Sequence, residues 1–310
     1  MLARALFVAA ELNIPEQLAS QPLSVQELAA QTDSHPEALG RLLYFLELHK
    51  VFEKKEDRYY ATPLSETMCA SHPHSIKPFL LHDDPTRWNA FGNLGYSIRT
   101  GKASFDMLYS TDYFTYITEH PLLSERFNQA MTTISCQEDA TLASVLKWHG
   151  TVADIGGGKG QLLNAITQKN AIEKTILVDL AEAIEQAQLI PPCEKIAGSF
   201  FEPLPLTADI FILKRILHDW DDEKTLLILK NVRTAMHTDA RLYIIDGILD
   251  QAEDKKALAA IDLALLTIFQ GRERTLEQFA ALCDKAGLEI VHISPVNSLI
   301  SALECKVKAQ

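Results

Sequence analysis

Apolar positions follow two rhythms along this chain, and the rhythm changes near residue 140. Before that point apolar residues recur at helical spacing. Residues 1–10 run into Glu11 as an amphipathic helix. Ser24-x-x-Glu27 and Ser34-x-x-Glu37 each precede an apolar run and predict capping boxes. The run after the second, 38–48, has a wide apolar face. Two β-like pieces, Val51-Phe-Glu and Arg58-Tyr-Tyr-Ala-Thr, flank the charged turn Lys54-Lys-Glu-Asp. Two helices and a small hairpin make a winged-helix pattern. From Thr151 short apolar strands alternate with helices. Strands are expected at 151–154, 174–179, 194–198, 208–213, 241–246, 288–293 and 298–306. Helices fall between them, including 222–236 and one capped by Thr275 and Gln278 that stops at Gly287. Such alternation predicts an α/β fold with a mostly parallel, Rossmann-like sheet covered on both faces. It also divides the chain into a helical winged-helix-like domain, 1–140, and a second domain, 141–310.

Composition narrows the function. With 47% hydrophobic residues in 310, the chain can build full cores. Its formal net charge of −12 opposes a nucleic-acid face, which needs clustered Lys and Arg. Glu37 and Glu47 on the would-be recognition helix point the same way, so the winged helix is read as a packing or dimerisation module. Five scattered cysteines without a CxxC pair argue against zinc and disulfides; no metal is expected, and a reducing, cytoplasmic setting is. No apolar run is long enough to span a membrane.

The densest chemical signal is Asp154-Ile-Gly-Gly-Gly-Lys-Gly160, between a strand and a helix. Glycines at such a turn either close it tightly or let the backbone approach a ligand. The spacing Gly156-x-Gly158-x-Gly160 is followed by Gln161, where a dinucleotide fingerprint needs glycine; a ligand without a pyrophosphate, such as S-adenosylmethionine, suits it better. Asp179 ends the next strand, 19 residues past Gly160. It can accept both hydrogen bonds of a ribose diol or cap the next helix. Further along, strand ends and loops of the same rim carry Lys214, His218, Asp246 and Glu273. One imidazole with two carboxylates is the composition of a general base with groups that orient it. The aromatic stretch Phe105, Tyr109, Tyr113, Phe114, Tyr116 and Phe127 suits either helix packing or a pocket for a flat molecule, and Trp220 reads as a core anchor.

Together these residues resemble the plant-type, or hydroxyindole-type, S-adenosylmethionine-dependent O-methyltransferases, which include caffeate and acetylserotonin methyltransferases and many bacterial small-molecule enzymes. The resemblance covers nearly the whole chain. Its carriers are the glycine turn, Leu213-Lys-x-x-Leu-His-x-Trp-x-Asp-Glu223, Gly271-x-Glu-Arg-Thr275 and Phe127-Asn-x-x-Met131. It implies a class I methyltransferase domain with a seven-stranded sheet, S-adenosylmethionine as cofactor, a small aromatic hydroxyl acceptor, and a homodimer formed through the N-terminal domain. His218 would be the catalytic base, flanked by Glu273 and Asp246. Asp154, Gly156, Gly158, Gly160, Asp179, Leu180, Ser199, Phe200 and Lys214 would contact the cofactor. Phe127, Met131, Asp219 and Ile268 would lie around the acceptor. Three departures stand out. Gly198-Ser-Phe-Phe replaces the usual Gly-Asp-Met-Phe, which shifts an adenine contact to Ser199. Asp246 stands where many members have Glu. The chain also begins inside the usual second helix, which shortens the dimer-forming arm. Rival readings are a non-methylating reaction on the same fold (decarboxylation, hydroxylation or a pericyclic step) and a winged-helix regulator.

Overall fold

The computed structural model describes residues 1–309 and divides into two compact units, Met1–Trp88 with Tyr116–Ile134, and Asn89–Thr115 with the chain from Ser135 onward. In the first unit, β1 (Leu23–Ser24), β2 (Phe52–Lys55) and β3 (Arg58–Ala61) form an antiparallel sheet of order β1-β3-β2. Strand β1 is too short to leave a periodic signal. Helices Leu2–Glu11, Ile14–Ser20, Val25–Gln31 and Pro36–Leu48 close over this sheet, burying Phe7, Ile14, Leu28, Leu43, Leu46, Phe52 and Tyr59. The first expected capping box forms: Ser24 Oγ accepts from Glu27 N, and Glu27 Oε2 accepts from Ser24 N at 2.7 Å. Arg58 then donates to Glu27 Oε2 at 3.0 Å, tying the hairpin to the helix. The second box does not form. Pro36 occupies the first helical turn, where its fixed φ is favourable, and makes His35 the N-cap. Ser34 is one residue too early and donates its hydroxyl to Thr32 O instead.

The second unit holds a seven-stranded sheet. Its strands are β4 (Thr151–Ile155), β5 (Lys174–Asp179), β6 (Cys193–Ala197), β7 (Ile210–Lys214), β8 (Arg241–Gly247), β9 (Leu288–Pro295) and β10 (Ile300–Val307). The order is β6-β5-β4-β7-β8-β10-β9, parallel from β6 to β8 and antiparallel around β10. This is the mostly parallel sheet the pattern predicts. Ile210 to Leu213 are all fully buried because both sheet faces are covered. Phe211 and Leu213 join one core with Leu242, Ile244 and Phe279; Ile210 and Ile212 join the other with Leu162, Ile166 and Ile245. Segment Asn89–Thr115 belongs to this unit, where Ser104 Oγ lies 2.8 Å from Ala90 O and 3.3 Å from Thr267 O. The chain leaves β4 outward to β5 and β6, then returns across it to β7 and β8. Such a reversal opens a crevice at the carboxyl ends of the central strands. Among the described residues no helix is long and apolar enough to cross a membrane.

Candidate active site

The crevice begins at the glycine turn. Gly156, Gly158 and Gly160 have φ of 77°, 57° and 75°, a region that other residues enter only with strain. A Cβ on Gly156 would strike Ile216, and one on Gly157 would strike the Asp154 carboxylate. Gly158 differs: a Cβ there would meet no heavy atom within 4 Å, so its backbone faces open space. Its N–H donates to Asp179 Oδ2 at 2.7 Å, and Leu180 N donates to Asp179 Oδ1 at 2.7 Å. Asp179 makes no cap, because Leu180 is the N-cap residue of helix Ala181–Gln186 and no side chain caps that end. Burial pushes the Asp179 carboxyl up, while the two backbone donors pull it down. Asp154, at the floor, is pushed up to about 7 by burial, with repulsion from Asp139 and Asp179 opposed by Lys214.

Strand β7 delivers two cations and then the imidazole. Lys214 Nζ donates to Asp139 Oδ1 at 2.5 Å and lies 3.3 Å from Glu138 Oε2. Arg215 turns into the left-handed region, φ 54°, and grips Glu138 with two nitrogens, Nη2 to Oε1 at 2.5 Å and Nε to Oε2 at 3.2 Å. The 3-10 turn Leu217–Asp219 follows, with His218 buried. Its Nδ1 is 3.0 Å from Glu273 Oε1 and 3.8 Å from Asp246 Oδ1, and its Nε2 is 3.6 Å from Asp219 Oδ1. Burial disfavours the imidazolium, but Asp246, Asp219 and Glu273 outweigh it and push His218 up to about 10. Burial also pushes the Asp246 carboxyl up, against the pull of His218. Both Asp246 oxygens and Glu273 Oε2 are buried without a hydrogen-bond partner. Folded chains rarely tolerate that cost except where function uses it.

The turn is held from behind. Arg272 N donates to His218 O at 2.9 Å, and a Cβ on Gly271 would collide with that carbonyl. Arg274 is fully buried and donates to Leu217 O, Trp220 O and Asp222 Oδ1, each at 2.8 Å. Asp262 Oδ1 accepts from Glu273 N at 2.7 Å, fixing the carboxylate that meets the imidazole.

Residues 91–289 match the O-methyltransferase domain family, and residues 1–71 match the O-methyltransferase dimerisation domain. The chain belongs to the O-methyltransferase family. It is 35% identical to the mitomycin biosynthesis 6-O-methyltransferase of Streptomyces lavendulae, over 94% of this chain and 87% of that protein. The solved structure of the mitomycin 7-O-methyltransferase MmcR superposes with a TM-score of 0.93 at 34% identity, covering 98% of this chain and 94% of that one. The O-methyltransferase NcsB1 from neocarzinostatin biosynthesis, solved with S-adenosylmethionine and 2-hydroxy-5-methyl naphthoic acid, gives 0.89 at 27% identity, covering 99% and 96%. The two-part architecture is therefore that of an O-methyltransferase with its dimerisation domain.

In this family member the remaining sequence-derived residues are distributed as follows. Ser199 Oγ accepts from Phe201 N at 3.2 Å, and the Phe200 ring sits 6.1 Å from Trp220. Trp220 packs partly buried against the core, as expected, and stacks on Phe114, which stacks on Phe269. Ile268 is fully buried at the end of helix Lys255–Ile268. Phe127 and Met131 lie on helix Pro121–Val145 within the first unit, where Phe127 packs beside His82. Lys214, expected at the cofactor, has its ammonium engaged by Asp139 and Glu138. The sequence reading passed over Arg215, Glu138, Asp262 and the clamp role of Arg274. Two basic residues directly after a strand, with Glu138-Asp139 upstream, were the available signal. Among the described residues no group of three or more His, Cys, Asp or Glu side chains is arranged to hold a metal ion.

Proposed function

We propose that the chain is an S-adenosylmethionine-dependent O-methyltransferase that methylates a phenolic hydroxyl of a small aromatic molecule, with His218 as general base. The observation that carries this reading is the buried imidazole, 3.0 Å from Glu273 Oε1, one turn beyond a parallel strand whose neighbour ends in a glycine turn. The residues present suit the cofactor. Gly158 leaves room for a ligand against the backbone, Asp179 keeps acceptor capacity for a diol, and the carboxylates gathered around His218 make the crevice attractive to a cation. Bound there, the cofactor supplies a methyl group on a positively charged sulfur.

The chain's own residues do the rest. With Glu273 accepting from Nδ1–H, Nε2 carries the lone pair and takes the phenol proton. Free phenol has a pKa near 10, and an ordinary His near 6.5, a gap of about 5 kcal/mol. Here the carboxylates push His218 up to about 10, so the transfer is close to balanced. The same shift holds a proton on the resting imidazole at neutral pH, and positive charge seated nearby favours its release. Gly271 and Arg274 fix the turn so that the base meets the acceptor without reorganisation. The partly buried Phe114, Phe269 and Trp220 rings, 5.1 to 6.0 Å apart, suit a flat acceptor. The 2-hydroxy-5-methyl naphthoic acid seated in NcsB1 is of that class. Replacing His218 with Ala should lower methyl transfer to a phenol panel about 100-fold or more while cofactor affinity persists. Unchanged turnover rules the base assignment out.

The first domain would pair two copies of the chain. Tyr44 and Leu48 on helix Pro36–Leu48 are 58% and 64% exposed, and their segment matches the dimerisation domain. Light scattering on the purified chain tests this, with a monomeric mass as the adverse result.

A further inference from the structure

Helix Ala181–Gln186 follows Asp179 and Leu180 directly, yet none of its residues is buried, and only Ile184 packs against the core. A segment with so few core contacts opens easily unless other groups tie it down. One tie is Lys195 on β6, whose Nζ donates to Ala187 O at 2.5 Å and lies 3.3 Å from Ile184 O, both at the end of that helix. The other is Asn164, on helix Gln161–Lys169, which opens from the glycine turn. Its amide meets the backbone on both sides of Leu189: Nδ2 donates to Gln188 O at 2.7 Å, and Oδ1 accepts from Ile190 N at 2.9 Å. Asn carries the donor and the acceptor that this pairing needs; Asp and Ala do not. Between the two bonds Leu189 presses onto the glycine turn, where a Cβ on Gly160 would strike Leu189 Cδ2. The crevice thus has two arms, the turn 156–160 and the segment 179–190. They are joined at the mouth by the bond from Gly158 N to Asp179 Oδ2, and at the root by Asn164 and Leu189.

We propose that Asn164 is a positioning residue for the cofactor: by pinning Gln188 and Ile190 over Gly160, it holds the Asp179 arm at a fixed distance from the glycine turn. This rests on the reading of the glycine turn and Asp179 as the cofactor's seat. A ribose diol on Asp179 shares the oxygens that now accept from Gly158 N and Leu180 N, which loosens the mouth bond. The root clamp then keeps the arms together. Without it the segment 181–190 samples more conformations in the empty chain, and binding must supply the ordering that Asn164 supplies in advance. The effect belongs to affinity and not to the chemical step, because His218 follows β7, on the other side of β4 from β5, and its turn is held by Gly271 and Arg274.

The test is calorimetric titration of the full chain with S-adenosylhomocysteine, in the parent, Asn164→Ala and Asn164→Asp. Asn164→Asp keeps the acceptor for Ile190 N but sets a carboxylate oxygen against Gln188 O. Both variants should bind about tenfold more weakly, the worth of the lost amide bonds. Hydrogen exchange in the ligand-free chain should quicken at Ile190 N–H and across 181–190, and return to the parent's rate once the ligand is saturating. With cofactor saturating, kcat should stay within about threefold of the parent while KM for S-adenosylmethionine rises. A merely structural role would instead quicken exchange across the whole sheet and lower kcat with the melting temperature, and that result overturns the proposal. So does a Kd within about twofold of the parent in both variants. If Asn164→Ala fails to fold, the nearly isosteric Asn164→Asp decides by the same readings. A parent chain that binds no S-adenosylhomocysteine refutes the seat itself; a parent that binds it and variants that bind it equally refute only the role of Asn164.

Discussion

Replacing Glu273 with Gln removes one negative charge from the imidazole and changes little else. The amide oxygen can still accept from Nδ1–H across the 3.0 Å contact, and Asp262 still holds the Glu273 backbone. At 3.0 Å, with an effective dielectric constant of about 20, the gross attraction between carboxylate and imidazolium is about 5 kcal/mol. Asp246 at 3.8 Å and Asp219 at 3.6 Å remain, and relaxation absorbs part of the loss. Neighbouring opposite charges shift a pKa by about one to three units in practice. His218 should therefore fall from about 10 by that amount. A weaker base that loses its proton earlier produces a distinctive profile: the acid limb of kcat/KM moves to lower pH while the plateau drops by about 100-fold. The assay is transfer of labelled methyl from S-adenosylmethionine to a phenol panel between pH 5 and 10, with circular dichroism and cofactor titration confirming fold and binding. Activity within about threefold of the parent, with an unmoved acid limb, would show that the Glu273 charge does not support the base.

Three other outcomes follow from the same geometry. Gly271→Ala places a methyl against the His218 carbonyl and the Asp219 backbone, so the turn must shift; a stability loss of about 1–3 kcal/mol by urea unfolding, with more than tenfold lower turnover, is expected, and a neutral variant would contradict the packing. Arg274→Met removes the charged donor from Leu217 O and Trp220 O, which keep only the longer bonds from Thr225 Oγ1 and Trp220 N, and should cost about 1–3 kcal/mol, read from the urea midpoint; a loss under about 0.5 kcal/mol would mean the clamp is dispensable. His218 and Asp246 both bind protons more tightly folded than unfolded. Their contribution to stability is thus fully present at acid pH; the His218 share falls as pH rises from about 6.5, its unfolded value, through about 10. His218→Gln should flatten the decline in melting temperature across that window, and an unchanged slope would place the proton elsewhere.

Much of this protein is written in local pattern. Ile210 to Leu213 is an unbroken apolar run because both faces of β7 are covered, and such a run signals a buried parallel strand. The glycine turn is legible because only glycine holds three positive φ values in five residues. The Ser24 capping box reads directly from a three-residue spacing, whereas Ser34 misleads because the proline two places on decides where the helix starts. Strand β1, two residues long, leaves no period to detect. Segment Asn89–Thr115 joins the second unit through partners such as Thr267, which lies 163 residues from Ser104.

The candidate site divides along the same line. Residue types named His218, Glu273 and Asp246, but periodicity reports only which face a residue occupies, not which distant residue it meets. His218 and Glu273 are 55 residues apart, and Arg215 and Glu138 are 77. Their meeting depends on the parallel register of β7 with β8, on the absence of a Cβ at Gly271, and on a helix whose two buried carboxylates meet two cations. Sequence alone determined the seven strands of the larger sheet and the chemical inventory. The tertiary structure decided which charges share one low-dielectric space, and so which of them shift one another, because that coupling depends on distance and burial rather than on order along the chain.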